Sequence, residues 1–203
     1  MLNLIYEDSY FLAVDKPSGI LSVPGKGEDK RDCMLSRVQH KFSHTLLVHR
    51  LDMDTSGIML FARSPEVQRE LSMQFERRSI KKRYVALLEG ELTDNQGEVQ
   101  LPIRKDMTQS LPPRHIVDHQ NGKSAHTKWS VIERYNNRTR VYLYPLTGRS
   151  HQLRVHMFEI GHSIIGDPIY GDAEERLMLH AERIILKHPI DEHMIELESP
   201  PPF

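Results

Sequence analysis

Two apolar runs, Leu46-Leu47-Val48 and Ile58-Met59-Leu60-Phe61-Ala62, bracket the segment His49-Arg50-Leu51-Asp52-Met53-Asp54-Thr55-Ser56-Gly57. The pattern predicts strand, tight turn, strand. It puts Asp52 where a rigid strand gives out, a position that can hold a carboxylate in fixed geometry. Arg50 is two residues away, and in extended chain the two side chains share a face.

Around this segment the chain reads as short strands with a few helices. Residues 2–6 and 11–14 are predicted strands leading into a Lys-Pro-Ser-Gly turn at Lys16. Residues 25–29 are polar and contain glycine, which predicts a mobile loop. Asp32 is the expected N-cap of a helix over residues 34–42, with Leu35 and Val38 facing inward. Ser64-Pro65 is a strong helix start, and Val67, Leu71 and Phe75 form an apolar stripe behind it. Residues 84–88 and 98–103 are predicted strands. Residues 104–121, rich in Pro, His and polar groups, read as a long loop. Residues 127–133 and 138–144 pair around the turn signal Asn136-Asn137. Thr147 or Ser150 is the expected cap of a helix to about residue 160, with Gly161 as its stop. Residues 184–187 and 194–198 complete the set. Strands outnumber helices and short turns join many of them, which predicts an α+β protein with a mixed, largely antiparallel sheet.

The length of 203 residues suits one domain. No apolar run approaches the roughly 20 residues needed to span a bilayer. The first residues lack the basic and apolar regions of a secretory signal. Cys33 is the only cysteine, so an intrachain disulfide is impossible and a cytoplasmic setting is expected. The formal net charge of −1 does not by itself announce a nucleic-acid partner. The local cluster Arg77, Arg78, Lys81, Lys82 and Arg83 fits either a solvated helix end or phosphate contact.

The segment from His49 to Gly57 resembles the central motif of the RluA-type pseudouridine synthases. Tyr6-Glu7-Asp8, and Lys16 through Gly25, are similar to that family's opening. Lys82-Arg83-Tyr84-Val85-Ala86 is similar to its tyrosine strand, and residues 147–156 to its third motif. Residues 166–171 and Leu179-His180-Ala181 resemble its closing signatures. The matches follow family order and cover nearly the whole chain. The resemblance implies a bent mixed sheet with flanking helices and a central cleft. It implies one catalytic domain over residues 1–203, with no room ahead of Tyr6 for a separate RNA-binding module. It also tips the basic cluster toward phosphate contact.

The implied reaction is isomerisation of uridine to pseudouridine in structured RNA, without cofactor or metal. The implied nucleophile is Asp52, whose carboxylate forms a covalent adduct or stabilises the sugar cation. Tyr84 is implied to stack on the target uracil and assist proton transfer. Arg154, a buried cation, is implied to pair with a carboxylate. Arg50 is implied to fill the space left when the base is flipped out. Leu153 would wall the pocket, and Arg149 would hold phosphate near a helix N-terminus. His49 and Thr55 of the central motif join the implied substrate-binding set. The short form and the Arg-Leu-Asp-Met sequence are most similar to members that modify both a tRNA anticodon stem-loop and a 23S rRNA hairpin. A monomer is expected, with no membrane partner. Other tRNA or rRNA sites, and an inactive RNA-binding module, are the alternatives.

Competing chemistries fit less well. Asp52 could simply cap a turn. Asp52, Asp54, Ser56 and Gly57 match the opening of a calcium loop, but Arg63 stands where the bidentate glutamate is required. His151 and His156 are five apart, off the spacing of a helical zinc site, and His115 and His119 lack a clear third ligand. A glycoside hydrolase would need a second carboxylate where the third motif supplies arginine.

Overall fold

The computed structural model describes residues 2–25, 27, 31–108 and 112–203. In chain order the elements are β1 (Asn3–Glu7), β2 (Phe11–Lys16), α1 (Met34–Lys41), β3 (Leu46–Leu47), β4 (Ser56–Ala62), α2 (Pro65–Glu76), β5 (Lys81–Glu89), β6 (Gln96–Val99), β7 (Ile103–Lys105), β8 (His115–Val117), β9 (Thr127–Tyr135), β10 (Arg138–Pro145), α3 (Gln152–Glu159), β11 (Leu179–Lys187) and β12 (Met194–Glu198). They fall into two compact units, one made of Met1–Lys82 with His180–Phe203 and the other of Arg83–Leu179. No described helix is long and apolar enough to cross a membrane.

In the first unit β4 is the organising strand, buried along its whole length. A strand covered on both faces reads as a continuous apolar run, and Ile58 to Ala62 supplies it. β2 pairs with it antiparallel from Phe11↔Ala62 to Lys16↔Gly57, and β1 continues the sheet beyond β2. β3 pairs with its far end, Leu47 opposite Phe61. β11 pairs with its beginning in parallel, at His180↔Ser56 and Ala181↔Gly57, and β12 lies antiparallel to β11. Phe11, Ile58, Leu60, Leu71, Ile184 and Leu197 are among the residues of this unit's core. The parallel pair amid antiparallel neighbours makes the sheet mixed, as the pattern of strands predicts.

The helices of this unit show how far local signals reach. α2 begins as expected: Ser64 Oγ accepts from Val67 N at 3.3 Å, Pro65 opens the helix, and Val67 and Leu71 are buried. α1 is capped differently. Cys33, not Asp32, is the N-cap; its Sγ accepts from Ser36 N while Ser36 Oγ accepts from Cys33 N. Asp32 instead pairs with Arg37 through two hydrogen bonds of 2.7 and 2.5 Å. The inward residues are Met34 and Val38, with Leu35 only half-buried. Of the loop expected at residues 25–29, Lys26, Glu28 and Asp29 lie outside the described residues.

The second unit is an antiparallel sheet in the order β5-β10-β9-β6. Asn136 and Asn137 both adopt positive φ, 50° and 56°, the turn geometry that keeps the natural twist of β9 and β10. Its core contains Ala86, Trp129, Val141, Leu143, Leu153 and Met157. The stretch expected to be a long irregular loop is instead built around a hairpin, with β7 and β8 paired from Ile103↔Val117 to Lys105↔His115. Arg104 ion-pairs with Asp118 across it, and Ile103 packs with Ala125, Val155 and Tyr170. Gln109, Ser110 and Leu111 of this stretch lie outside the described residues. α3 starts from His151, whose left-handed φ of 54° ends the preceding turn, and neither Thr147 nor Ser150 caps it. Gly161, at φ +84°, is the expected stop.

Gly57 is the tightest point of the first sheet. Its φ is +115°, and a Cβ there would lie 2.3 Å from the Ala181 carbonyl oxygen. Gly57→Ala is predicted to cost about 3 kcal/mol, since both the backbone angle and the β4–β11 contact would have to give. A urea-unfolding midpoint unchanged from wild type would show that the sheet opens there at little cost.

Candidate active site

The eight positions expected to contact substrate divide between the units. His49, Arg50, Asp52 and Thr55 stand on one connection of the first unit, between β3 and β4. Tyr84, Arg149, Leu153 and Arg154 belong to the second. The connection is longer than a tight turn: β3 ends at Leu47 and β4 begins at Ser56.

Length does not make this connection loose, because its backbone is pinned on both sides of Asp52. Ser22 Oγ donates to Leu51 O at 2.6 Å and accepts from Leu51 N at 3.1 Å. Lys16, fully buried, donates from Nζ to Met53 O at 2.6 Å, Ile20 O at 2.7 Å and Pro17 O at 2.9 Å. Three carbonyls match the three protons of an ammonium group. Gly19 N also reaches Met53 O, and Ser18 Oγ donates to Asp54 O at 2.6 Å. The Lys-Pro-Ser-Gly turn is therefore the mould for the Asp52 loop. Within it the Asp52 side chain is half-buried, Arg50 is exposed and Thr55 is buried.

His49 and His180 frame the loop. His49 Nε2 accepts from Leu60 N at 3.1 Å and the ring lies against Phe75. Burial, with the charge of Lys82, pushes its pKa down to about 3. His49 is thus a fixed acceptor and carries no charge to offer a phosphate. At the loop's far end, His180 Nε2 donates to Ser199 O at 3.0 Å and its Nδ1 meets the Ser56 hydroxyl at 2.8 Å.

In the second unit Tyr84 lies on β5 opposite Leu143, half-buried against the cluster that contains Leu153. Arg154 is buried on α3. Its Nε and Nη2 donate to the two carboxylate oxygens of buried Asp167, each at 2.7 Å. Asp167 Oδ1 also accepts from Ile169 N and Tyr170 N. The Arg154 guanidinium lies over the Tyr170 ring, 5.4 Å from its centre. Asp167 was not foreseen as this partner; it stands in one of the closing signatures, beyond the reach of local spacing rules.

The rest of the third motif builds the seat for Arg154. Gln152 Oε1 accepts from Thr147 Oγ1 and Arg149 N, while its Nε2 donates to His126 O and Thr127 Oγ1. His156 Nε2 donates to Leu101 O, so Nδ1 accepts the Thr127 hydroxyl at 2.9 Å, and burial lowers the pKa of the ring. Arg149 is half-exposed and donates from Nε to Ser124 O. The Tyr170 hydroxyl donates to His115 O, accepts from His115 N and meets His151 Nδ1 at 2.9 Å. Burial pushes Tyr170 up to about 12.

Lys16→Met is predicted to cost roughly 3 kcal/mol, because it removes the ammonium donor from three inward carbonyls and leaves Met53 O with Gly19 N alone. Ser18→Ala, which removes one bond at the loop's edge, is predicted to cost about 1 kcal/mol. Equal urea midpoints for the two variants would remove the ammonium from its central place. His49 gives a pH signature. Its ordinary value is 6.5 and its folded value about 3, so over that interval the unfolded chain binds the proton first. The stability that neutral His49 contributes is whole above pH 6.5 and is lost as pH falls toward 3. Urea midpoints at pH 7 and pH 4.5 are predicted to fall more for wild type than for His49→Gln.

Residues 10–159, which include Asp52, Tyr84 and Arg154, match the family model described as RNA pseudouridylate synthase. Over its full length the chain is 45% identical to the dual-specificity RNA pseudouridine synthase RluA of Pasteurella multocida (strain Pm70), covering 94% of that protein. It is 47% identical to the protein of the same name from Haemophilus influenzae, over 93% of this chain and 88% of the relative. Among solved structures, human RNA pseudouridylate synthase domain containing 1 matches with a TM-score of 0.84 and 28% identity, over 100% of this chain and 84% of its own. The chain belongs to the RNA pseudouridylate synthase family.

Proposed function

We propose that this RNA pseudouridine synthase acts on two structured RNAs, a tRNA anticodon stem-loop and a 23S rRNA hairpin of similar shape, with Asp52 as its nucleophile. The observation that carries the reading is the Asp52 loop: the residues on either side of the carboxylate are held through their backbone by Ser22 and Lys16. A nucleophile held this way reaches its target without first paying to order its own loop.

The chemistry balances within one nucleotide. The N1–C1′ bond breaks, the uracil turns, and C5 bonds to C1′. C5 loses a proton and N1 gains one, so no redox partner is needed. An ionised carboxylate serves whether it attacks the sugar, attacks the base or assists a glycal route. Tyr84 is assigned to the flat face of the uracil and to proton transfer. Arg154 is assigned as the buried cation, and Leu153 and Thr55 are assigned to contact with the base. Arg50, exposed on the loop, is assigned to the gap left by the flipped base. Arg149 is assigned to a phosphate, and His49 to support of the loop as a neutral ring. Full-length likeness to relatives named for dual specificity supports two RNA substrates. Reading stem-loop shape with a few flipped bases allows one site to take both. The reading includes one catalytic domain that works as a monomer in the cytoplasm.

The deciding experiment is tritium release from C5-labelled uridine in tRNA and 23S rRNA from a strain lacking the gene, with wild type and Asp52→Asn side by side. Wild type is expected to release tritium from both RNAs and the variant from neither. Release from one RNA alone would remove the dual specificity. Equal release by the two proteins would remove Asp52 as nucleophile.

A further inference from the structure

The turn joining β11 and β12 is closed by His188 N bonding His193 O at 2.8 Å and Glu192 N bonding His188 O at 3.2 Å. Glu192 takes a left-handed φ of 60°. The His188 and His193 rings come to stack, with centres 5.0 Å apart and planes 14° apart. Both aim Nδ1 at one atom: Asp191 Oδ1 lies 2.7 Å from His188 Nδ1 and 2.5 Å from His193 Nδ1. The three donor atoms lie within 4.8 Å of one another.

A second observation concerns the far side of His188. The ring is buried, and its Nε2 lies 3.0 Å from Asp8 Oδ2. Asp8 is itself fixed in place, accepting from Phe11 N, Tyr10 N and the Tyr6 hydroxyl. It holds the Nε2 side of the ring and leaves Nδ1 facing Asp191. Nδ1 lies 2.7 Å from the Asp191 carboxylate oxygen, with the backbone N–H groups of Ile190 and Asp191 also directed at it from 3.4 Å. A carboxylate behind one ring nitrogen, with further donor atoms gathered in front of the other, is the arrangement that orients a histidine for a metal.

We propose that His188 Nδ1, Asp191 Oδ1 and His193 Nδ1 form a transition-metal site of the zinc class, with Asp8 as the orienting carboxylate behind it. Two imidazoles and a carboxylate suit zinc, cobalt or nickel over magnesium or calcium, which prefer all-oxygen sites. Ligand bonds of about 2.1 Å in a tetrahedron need donor atoms roughly 3.4 Å apart. Asp191 and His193 are exposed and can move outward by that margin, while His188 stays fixed. Three protein ligands leave a coordination position to water. The ion would staple the β11–β12 hairpin; uridine isomerisation does not use it.

The test is zinc titration of full-length protein stripped with a chelator, followed by calorimetry and thermal unfolding. Wild type is compared with His193→Ala, a surface change that leaves the fold intact, and with His119→Ala as a control for scattered histidines. Wild type and His119→Ala are expected to bind one more zinc equivalent than His193→Ala and to gain a higher Tm from zinc. Asp8→Asn is expected to weaken binding by about 10–100-fold. Cobalt should reproduce the effect and magnesium should not. Equal zinc binding by wild type and His193→Ala would overturn the proposal. So would a hairpin whose stability rises as pH is lowered and ignores zinc, since a proton would then fill the cluster. Neither outcome bears on tritium release.

Discussion

One buried ammonium group sets the terms for the first unit. Taking a lysine out of water costs several kcal/mol even after the protein relaxes, so it survives only where its protons are met. Lys16 is met by the carbonyls of Pro17, Ile20 and Met53. Those carbonyls must then point inward, which fixes the Lys-Pro-Ser-Gly turn and the Asp52 loop against each other. The same residue ends β2 directly opposite Gly57, where β11 comes so close that only a glycine fits. A buried charge, a missing side chain and the start of a parallel strand pair meet within a few residues. The loop beside Asp52 inherits its rigidity from that convergence.

The second unit solves its electrostatic problem differently. Arg154 and Asp167 share two short hydrogen bonds while both are buried, and further bonds from Ile169 N and Tyr170 N complete the carboxylate. A pair of this kind adds little net stability against an apolar alternative, but breaking it strands a charge. It therefore specifies where the guanidinium sits. Gln152, Thr127 and His156 extend the arrangement with neutral groups whose donors and acceptors are each matched.

Much of this was legible in the sequence, and the exceptions follow physical lines. Ser64-Pro65, Asn136-Asn137 and Gly161 act within a few residues of themselves, through a capping hydroxyl, a fixed proline or a left-handed backbone, so their signals survive into the fold. The motifs around Asp52, Tyr84 and Arg154 were legible because the family resemblance runs along the chain in order. Asp32 failed as a cap because Arg37 offered it a better partner, and Cys33 with Ser36 supplied an alternative. The β7–β8 hairpin was hidden because few apolar residues mark it; a cross-strand ion pair and one deep anchor, Ile103, hold it instead. Asp167 as the partner of Arg154, and the histidines that meet on Tyr170, are tertiary facts that spacing rules for one helix cannot reach. The cluster at His188, Asp191 and His193 escaped for a related reason: a left-handed residue in a turn brings its side chains together, and no regular period announces it.

The parallel pairing of β4 with β11 also has a consequence in time. Ser56 and His180 are hydrogen-bonded neighbours separated by 124 positions of chain. At the ordinary speed of translation, about 5–20 residues per second, a ribosome needs on the order of ten seconds to make the intervening segment. During that interval Lys16, Ser18 and Ser22 are already available to mould the Asp52 loop, but its exit into β4 lacks the strand that seats it. The second unit, continuous from Arg83 to Leu179, has all its residues before then. In a growing chain the Asp52 loop is therefore shaped early and anchored late, and the apolar length of β4 is the surface a chaperone would meet in between.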